Sequence, residues 1–234
     1  VLEAGLAEAG VLAENGVDFL MVQNLGDIPV HTSAAVVQVA WMTRVITEIR
    51  AAFGKPVGLN LLENDAEAMF AIASAANADF VRIKIYVGGM MTPFGIETAQ
   101  AHIAIKTRTQ WSAEQVAIFA DVHDRTGTPI ATSGFDEDVE FAVRLGMADG
   151  LVLTGKSYAQ TLDYVGRTRS KYPELPILVG GSVTSSNFAE LIEKADGAIV
   201  STSMKESGSA VGKLVPSKVR EFMAAAKGGI SQPG

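Results

Sequence analysis

The segment Ile177-Leu178-Val179-Gly180-Gly181-Ser182-Val183-Thr184 leads through a short helical run to Ala195-Asp196-Gly197-Ala198-Ile199-Val200-Ser201-Thr202-Ser203-Met204-Lys205. Two apolar runs of buried-strand type thus each end in small residues. Small residues let a bound group approach the backbone, and N–H donors at the start of a following helix suit an anion. In a (β/α)8 barrel the loops after the last two strands commonly hold a phosphate. The segment therefore nominates Gly180, Gly181 and Ser182, with Ser201, Thr202 and Ser203, as phosphate-binding residues, and it suggests the fold that would carry them.

Outward from this segment, strands and helices alternate along the chain. Strands are expected over residues 17–24, 57–61, 80–86, 116–122, 150–154, 177–179 and 198–201. Helices are expected over 1–15, 33–53, 64–76, 136–145, 158–171, 186–194 and 216–226, and residues 98–109 read as helical or irregular. Gly16 and Gly54 are placed as helix stops, Asp65 in Asn64-Asp65 as a cap, and Pro216 at a first turn. Near-continuous apolar strands between helices imply a parallel sheet covered on both faces. A barrel needs eight strands, and the chain opens on a helix. The simplest account is a (β/α)8 TIM barrel of phosphate-binding type whose first strand precedes Val1. An open doubly wound sheet is the alternative; the phosphate-type loops favour the barrel. A single domain over residues 1–227 and a disordered tail over 228–234 are expected.

The chain has 234 residues, 48% of them hydrophobic and 19% charged, enough for one well-buried core. Net charge is −7 and no Lys/Arg run is present, which argues against nucleic acid as a partner. A small anionic substrate remains compatible, because local dipoles bind it. No cysteine occurs, which removes disulfides, thiolate catalysis and Cys-ligated metals, and fits a cytoplasmic location. No apolar run approaches the ~18 residues of a membrane span, and no signal peptide is visible. Barrels of this size often form homo-oligomers, though no residue pattern fixes an interface.

Period-two alternation decides which strand residues face inward together. In residues 80–86 the polar set is Arg82, Lys84 and Tyr86, opposite Val81, Ile83 and Ile85. Arg82 and Lys84 are expected in the barrel interior, where two cations need a substrate anion or a carboxylate partner. In the next strand Phe119, Asp121 and His123 share a face. Asp121 can pair with Lys84 or Arg82, serve as a general base, or join His123 on a metal. An Asp-x-His pair without a third ligand gives weak support for a metal, and no cofactor is expected. His123 is either a proton carrier or a loop residue capping backbone groups. Gln23, Asn24, Asn60 and Thr154 are neutral strand-end groups suited to substrate hydroxyls or to loop capping. The loop from Gly88 to Gly95 reads as mobile or substrate-covering.

Taken in order, several segments resemble the BtpA/SgcQ family. They include Val22-Gln23-Asn24-Leu25-Gly26-Asp27-Ile28-Pro29, Gly58-Leu59-Asn60-Leu61-Leu62-Glu63-Asn64-Asp65, Ala78-Asp79-Phe80-Val81-Arg82 and Phe119-Ala120-Asp121-Val122-His123. Ala148-Asp149-Gly150 and the opening segment complete the set, which spans nearly the whole chain. The resemblance implies a phosphate-binding-type barrel. Three departures stand out: Gln23 replaces a frequent Glu, Lys84 replaces a frequent Asn, and Asp124-Arg125-Thr126 replaces a frequent Val-Lys-His. The last weakens the expectation of a basic contact from that loop. The family is named through a cyanobacterial member linked to photosystem I accumulation at the thylakoid membrane; other members resemble sugar-operon proteins.

Two functions from different classes follow. The first is an enzyme acting on a small phosphorylated metabolite, such as a sugar phosphate, by aldolase, isomerase or epimerase-like chemistry. Arg82, Lys84, Asp121 and His123 would then move protons or stabilise an enolate, with Lys84 as a Schiff-base lysine in one variant. The second is a non-catalytic photosystem I biogenesis factor, peripheral to a membrane, as the resemblance implies. A metal-dependent hydrolase using Asp121 and His123 is a third reading.

Overall fold

The computed structural model describes residues 1–230. Seven parallel strands form its central sheet: β1 (Leu20–Gln23), β2 (Val57–Asn60), β3 (Phe80–Ile83), β6 (Ala117–Val122), β8 (Gly150–Leu153), β9 (Ile177–Gly180) and β10 (Gly197–Ile199). They hydrogen-bond in chain order, β1-β2-β3-β6-β8-β9-β10. Helices α1 (Leu2–Glu14), α2 (Val36–Phe53), α3 (Ala66–Ala76), α4 (Ala101–Gln110), α5 (Phe135–Glu140), α6 (Tyr158–Lys171), α7 (Phe188–Ile192) and α8 (Pro216–Ile230) alternate with them. The sheet curls into a nearly closed (β/α)8-type barrel. Among the described residues, no ladder joins β10 to β1, so a seam runs between them. The expected tail is helical as far as Ile230, and residues 231–234 lie outside the described residues.

The alternation of each strand sorts its side chains into two layers. Val81, Ile83, Ile118, Ala120, Leu151, Leu153, Ile177 and Val179 are buried in the main core against the helices. The opposite set lines the barrel. At its lower end Phe80 packs edge-to-face on Phe19 at 5.6 Å and on Phe119 at 5.7 Å. Gly58 makes room for this aromatic layer, since a Cβ there would come within 2.3 Å of the Phe80 ring. One step up lie Gln23 and its register partner Asn60, then Arg82, and Asp121, which stands two residues beyond Phe119, the register partner of Arg82.

A repeated device fixes the lower rim. Asp79, Asp149 and Asp196 each precede a strand. Their Oδ2 atoms accept the N–H of Val57, Ile118 and Ile177 on the preceding strand, at 2.7–2.8 Å. Each also takes an arginine from a helix: Arg50, Arg108 and Arg169 respectively. The strand's first donor is thereby satisfied and the helix is tied to it. Asp18 occupies the same place before β1, beside the seam.

The strands follow the sequence reading, with two corrections. The strand expected over 80–86 ends at Ile83, so Tyr86 does not share the interior face of Arg82. It is fully buried in the main core, and its hydroxyl donates to the Gly146 carbonyl. The loop from Gly88 to Gly95 is not loose. It forms an antiparallel hairpin of β4 (Gly89–Thr92) and β5 (Gly95–Thr98), which pairs with β7 (Thr128–Pro129). Helix α4 therefore begins at Ala101, later than expected.

Candidate functional site

Arg82 and Asp121 form the centre of the upper barrel. Nε and Nη2 of Arg82 donate to Oδ1 and Oδ2 of Asp121 at 2.8 and 2.6 Å, a bidentate pair. Both side chains are buried. Burial pushes the Asp121 carboxyl up, to about 6, against the pull of Arg82. Burial also opposes the Arg82 charge, but Asp121 outweighs it and Arg82 is raised.

Lys84 and His123 stand beside this pair and, with Asp121, line a cavity. The cavity measures about 120 Å³ and is lined by Lys84, Asp121 and His123 together with Asp138, Thr132 and Phe141. The β4–β5 hairpin contributes Gly89 and Met90 to its wall. Lys84 meets Asp124 at 3.7 Å rather than Asp121. Burial would raise the Asp124 carboxyl, yet Lys84 and two bonds from Thr126 hold it below the usual carboxylate range. His123 has φ +56°, which swings it off the strand line. Its Nε2 lies 2.6 Å from Asp138 Oδ2, which also accepts from the Thr132 hydroxyl. The carboxylate orients the ring, and Nδ1 is its other nitrogen.

The neutral strand-end residues are spent inside the protein. Gln23 donates to Asn60 Oδ1 at 2.5 Å, and Asn60 donates to the Arg82 carbonyl at 2.8 Å. Asn24 bonds Glu63, Asp27 and the Leu62 N–H, tying the β1 and β2 loops together. The Thr154 hydroxyl donates to the Gly180 carbonyl. These four residues position the barrel mouth.

The expected phosphate segment carries two successive residues in the left-handed region. Gly181 and Ser182 adopt φ +89° and +58°. The N–H groups of Gly181, Ser182, Val183, Thr202 and Ser203 meet no acceptor among the described residues. The Ser203 hydroxyl is shielded from solvent and likewise unpartnered there. Successive free amides of this kind form a concavity for anions.

Asp138 and Glu97 were not singled out by the sequence reading, and Asp124 and Arg125 entered it only as a departure from the family pattern. Arg125 lies on Gly181: a Cβ there would stand 3.1 Å from the Arg125 Cζ. The turn after β6 thus places a basic side chain beside Gly181. Glu97, on β5, is raised by burial, and its Oε2 is enclosed without a partner. Asp138 had a legible signal, since it sits in the acidic first turn of a helix that follows the His123 loop. Among the described residues no group of three His, Asp or Glu side chains is arranged to hold a metal. None of their helices is long and apolar enough to cross a membrane.

Known proteins similar to this chain fall into two groups. Solved structures of similar fold include N-(5'-phosphoribosyl)anthranilate isomerase from Pyrococcus furiosus, at TM-score 0.62 and 16% identity, covering 96% of this chain and 95% of that one. A thiamine phosphate pyrophosphorylase from the same organism has TM-score 0.64 and 13% identity, covering 98% and 93%. At such identities the likeness shows the barrel fold, whose members here include enzymes named for phosphorylated compounds. Sequence relatives are nearer. The photosystem I biogenesis protein BtpA of Synechocystis is 32% identical over 98% of this chain and 81% of its own length. An uncharacterized protein of Thermococcus kodakarensis is 33% identical over 97% and 86%. The BtpA family profile matches residues 1–228, and the chain belongs to the BtpA family.

Proposed function

We propose that this protein is an enzyme acting on a small phosphorylated metabolite, with a sugar phosphate as the substrate class. One observation carries the reading. The free amides at the ends of β9 and β10 and the Lys84–His123 cavity lie at the same end of the barrel, where barrels of this type place their chemistry. The phosphate sits on the amides of Gly180–Ser182 and Ser201–Ser203. His123, oriented by Asp138, takes a proton from a carbon next to a carbonyl. The Lys84 ammonium stabilises the enolate that forms, and the Arg82–Asp121 pair fixes the field around it. This is the proton bookkeeping of isomerases, epimerases and aldolases.

Calorimetry with a panel of sugar phosphates and the matching free sugars tests the first half. Binding of phosphorylated members only is expected; equal indifference to both sets would end the reading. Solvent deuterium incorporation, followed by NMR, tests the second half. His123→Asn is expected to slow exchange by about 10²–10⁴-fold with phosphate affinity retained. An unchanged rate in that variant would remove His123 from the chemistry.

The Synechocystis relative's name supports a second reading, an assembly factor for photosystem I. Helix α2 carries exposed Val36, Val37 and Trp41, apolar side chains that such a factor would apply to a partner. Lipid flotation separates the two readings, since an enzyme of soluble metabolites stays unbound.

A further inference from the structure

The turn after β6 is built to hold one side chain in place. Asp124 Oδ1 accepts from the Thr126 N–H at 2.8 Å and from its hydroxyl, and the Gly127 N–H donates to the Asp124 carbonyl at 3.2 Å. Gly127 packs on the hairpin so closely that a Cβ there would stand 2.8 Å from the Met91 carbonyl oxygen. Between these fixed points the Arg125 guanidinium lies on Gly181. Arg82 approaches the same turn from within the barrel, since a Cβ on Gly180 would be 3.3 Å from its Nη2. The two guanidinium groups differ in one respect. Arg82 is committed to Asp121, whereas Arg125 is exposed and has no carboxylate or hydrogen-bond partner among the described residues.

A guanidinium without a carboxylate, lying on Gly181 where the successive N–H groups of Gly181, Ser182 and Val183 are unsatisfied, is a half-made anion site. We propose that Arg125 is the cation that closes the phosphate cradle, donating its planar fork to the oxygens of a phosphate monoester seated on the Gly181–Val183 amides. The proposal rests on the reading of this turn as a phosphate site and deepens it. It also assigns a selectivity. The fork and the amides together supply more donors than a carboxylate can accept, so a phosphate dianion is preferred to a carboxylate. Because the same turn carries Asp124, which holds Lys84, the cation on the phosphate and the cation in the cavity are set by one short segment.

The test is calorimetry of the full chain with inorganic phosphate and glycerol 3-phosphate, with acetate and glycerol as controls. The wild-type protein is expected to bind both phosphates and neither control. Arg125→Ala should weaken both phosphates by about ten- to a hundredfold, the loss typical of a charge-assisted donor. Arg125→Lys, which keeps the charge and stem but not the fork, should lose less. The thermal midpoint of each variant reports folding, and it should stay at the wild-type value because the side chain is exposed. Wild-type affinity in Arg125→Ala would overturn the role of Arg125 and leave the cradle standing. Failure of the wild-type protein to bind either phosphate would overturn the cradle itself, and Arg125 with it.

Discussion

Arg82 and Asp121 bring the energetics of the site to a single pair of side chains. Two opposite charges in a barrel interior attract strongly, yet each loses its water. For Asp121 the loss dominates, and its carboxyl titrates near 6 instead of near its ordinary value of 3.8. The sign of the consequence follows from linkage. Between those two values the folded protein binds a proton that the unfolded chain does not, so this group's contribution to stability grows as pH falls through 6 and is smallest above it. Asp124 acts in the opposite sense: its lowered carboxyl stabilises the fold above its unfolded value, and that contribution is lost on acidification below it. Asp121→Asn removes only the first effect. The stability difference between wild type and Asp121→Asn, from urea unfolding at pH 7 and pH 5, should therefore move in favour of wild type at the lower pH. Movement the other way would mean that Arg82 wins the contest.

At the scale of elements, the three aspartates of the lower rim are what make the βα units interchangeable parts. Each gives the first N–H of a strand its acceptor and each anchors a helix through an arginine. Asp79→Ala leaves the Val57 N–H without its acceptor in the interior and unpairs Arg50. The expected cost is about 1–3 kcal/mol, set by the unsatisfied donor rather than by the partly exposed ion pair. Denaturant unfolding measures it, and a change under about 0.5 kcal/mol, as for ordinary surface sites, would show the device to be ornamental. These units were readable in the chain because apolar strands, glycine stops and caps recur at each one. Arg82 and Asp121 were readable as interior neighbours for the same reason, since alternation holds through Ile83 and Val122. It fails where strands stop: Tyr86 lies beyond the end of β3, and His123 is turned by its positive φ. The hairpin escaped notice although Met90-Met91 and Ile96 flank Pro93-Phe94-Gly95, a turn signal between short apolar runs. Arg125 and Gly181 are far apart in sequence, and no local pattern joins a surface arginine to a glycine turn.

At the scale of the whole molecule, the sheet has a centre and two margins. β2, β3, β6, β8 and β9 are paired on both sides, with β3, β6 and β8 at the centre, whereas β1 and β10 each face the seam. Amide hydrogen exchange should reflect this order, with protection longest in the central three strands and shortest along β1 and β10. Equal protection at the margins would show that the seam is covered in solution. The cavity side of the molecule has a similar asymmetry. The hairpin is sewn to itself through four residue pairs but to β7 through only two, Met90–Pro129 and Met91–Thr128. Its cover over Lys84 and His123 therefore has a hard edge and an easy one. The Ile130 N–H bonded to the Gly89 carbonyl and the Ala99 N–H bonded to the Gly88 carbonyl fix the foot of the hairpin. The wall in front of His123 is thus a panel hung on backbone hydrogen bonds, with Thr128-Pro129 along its more lightly bonded edge.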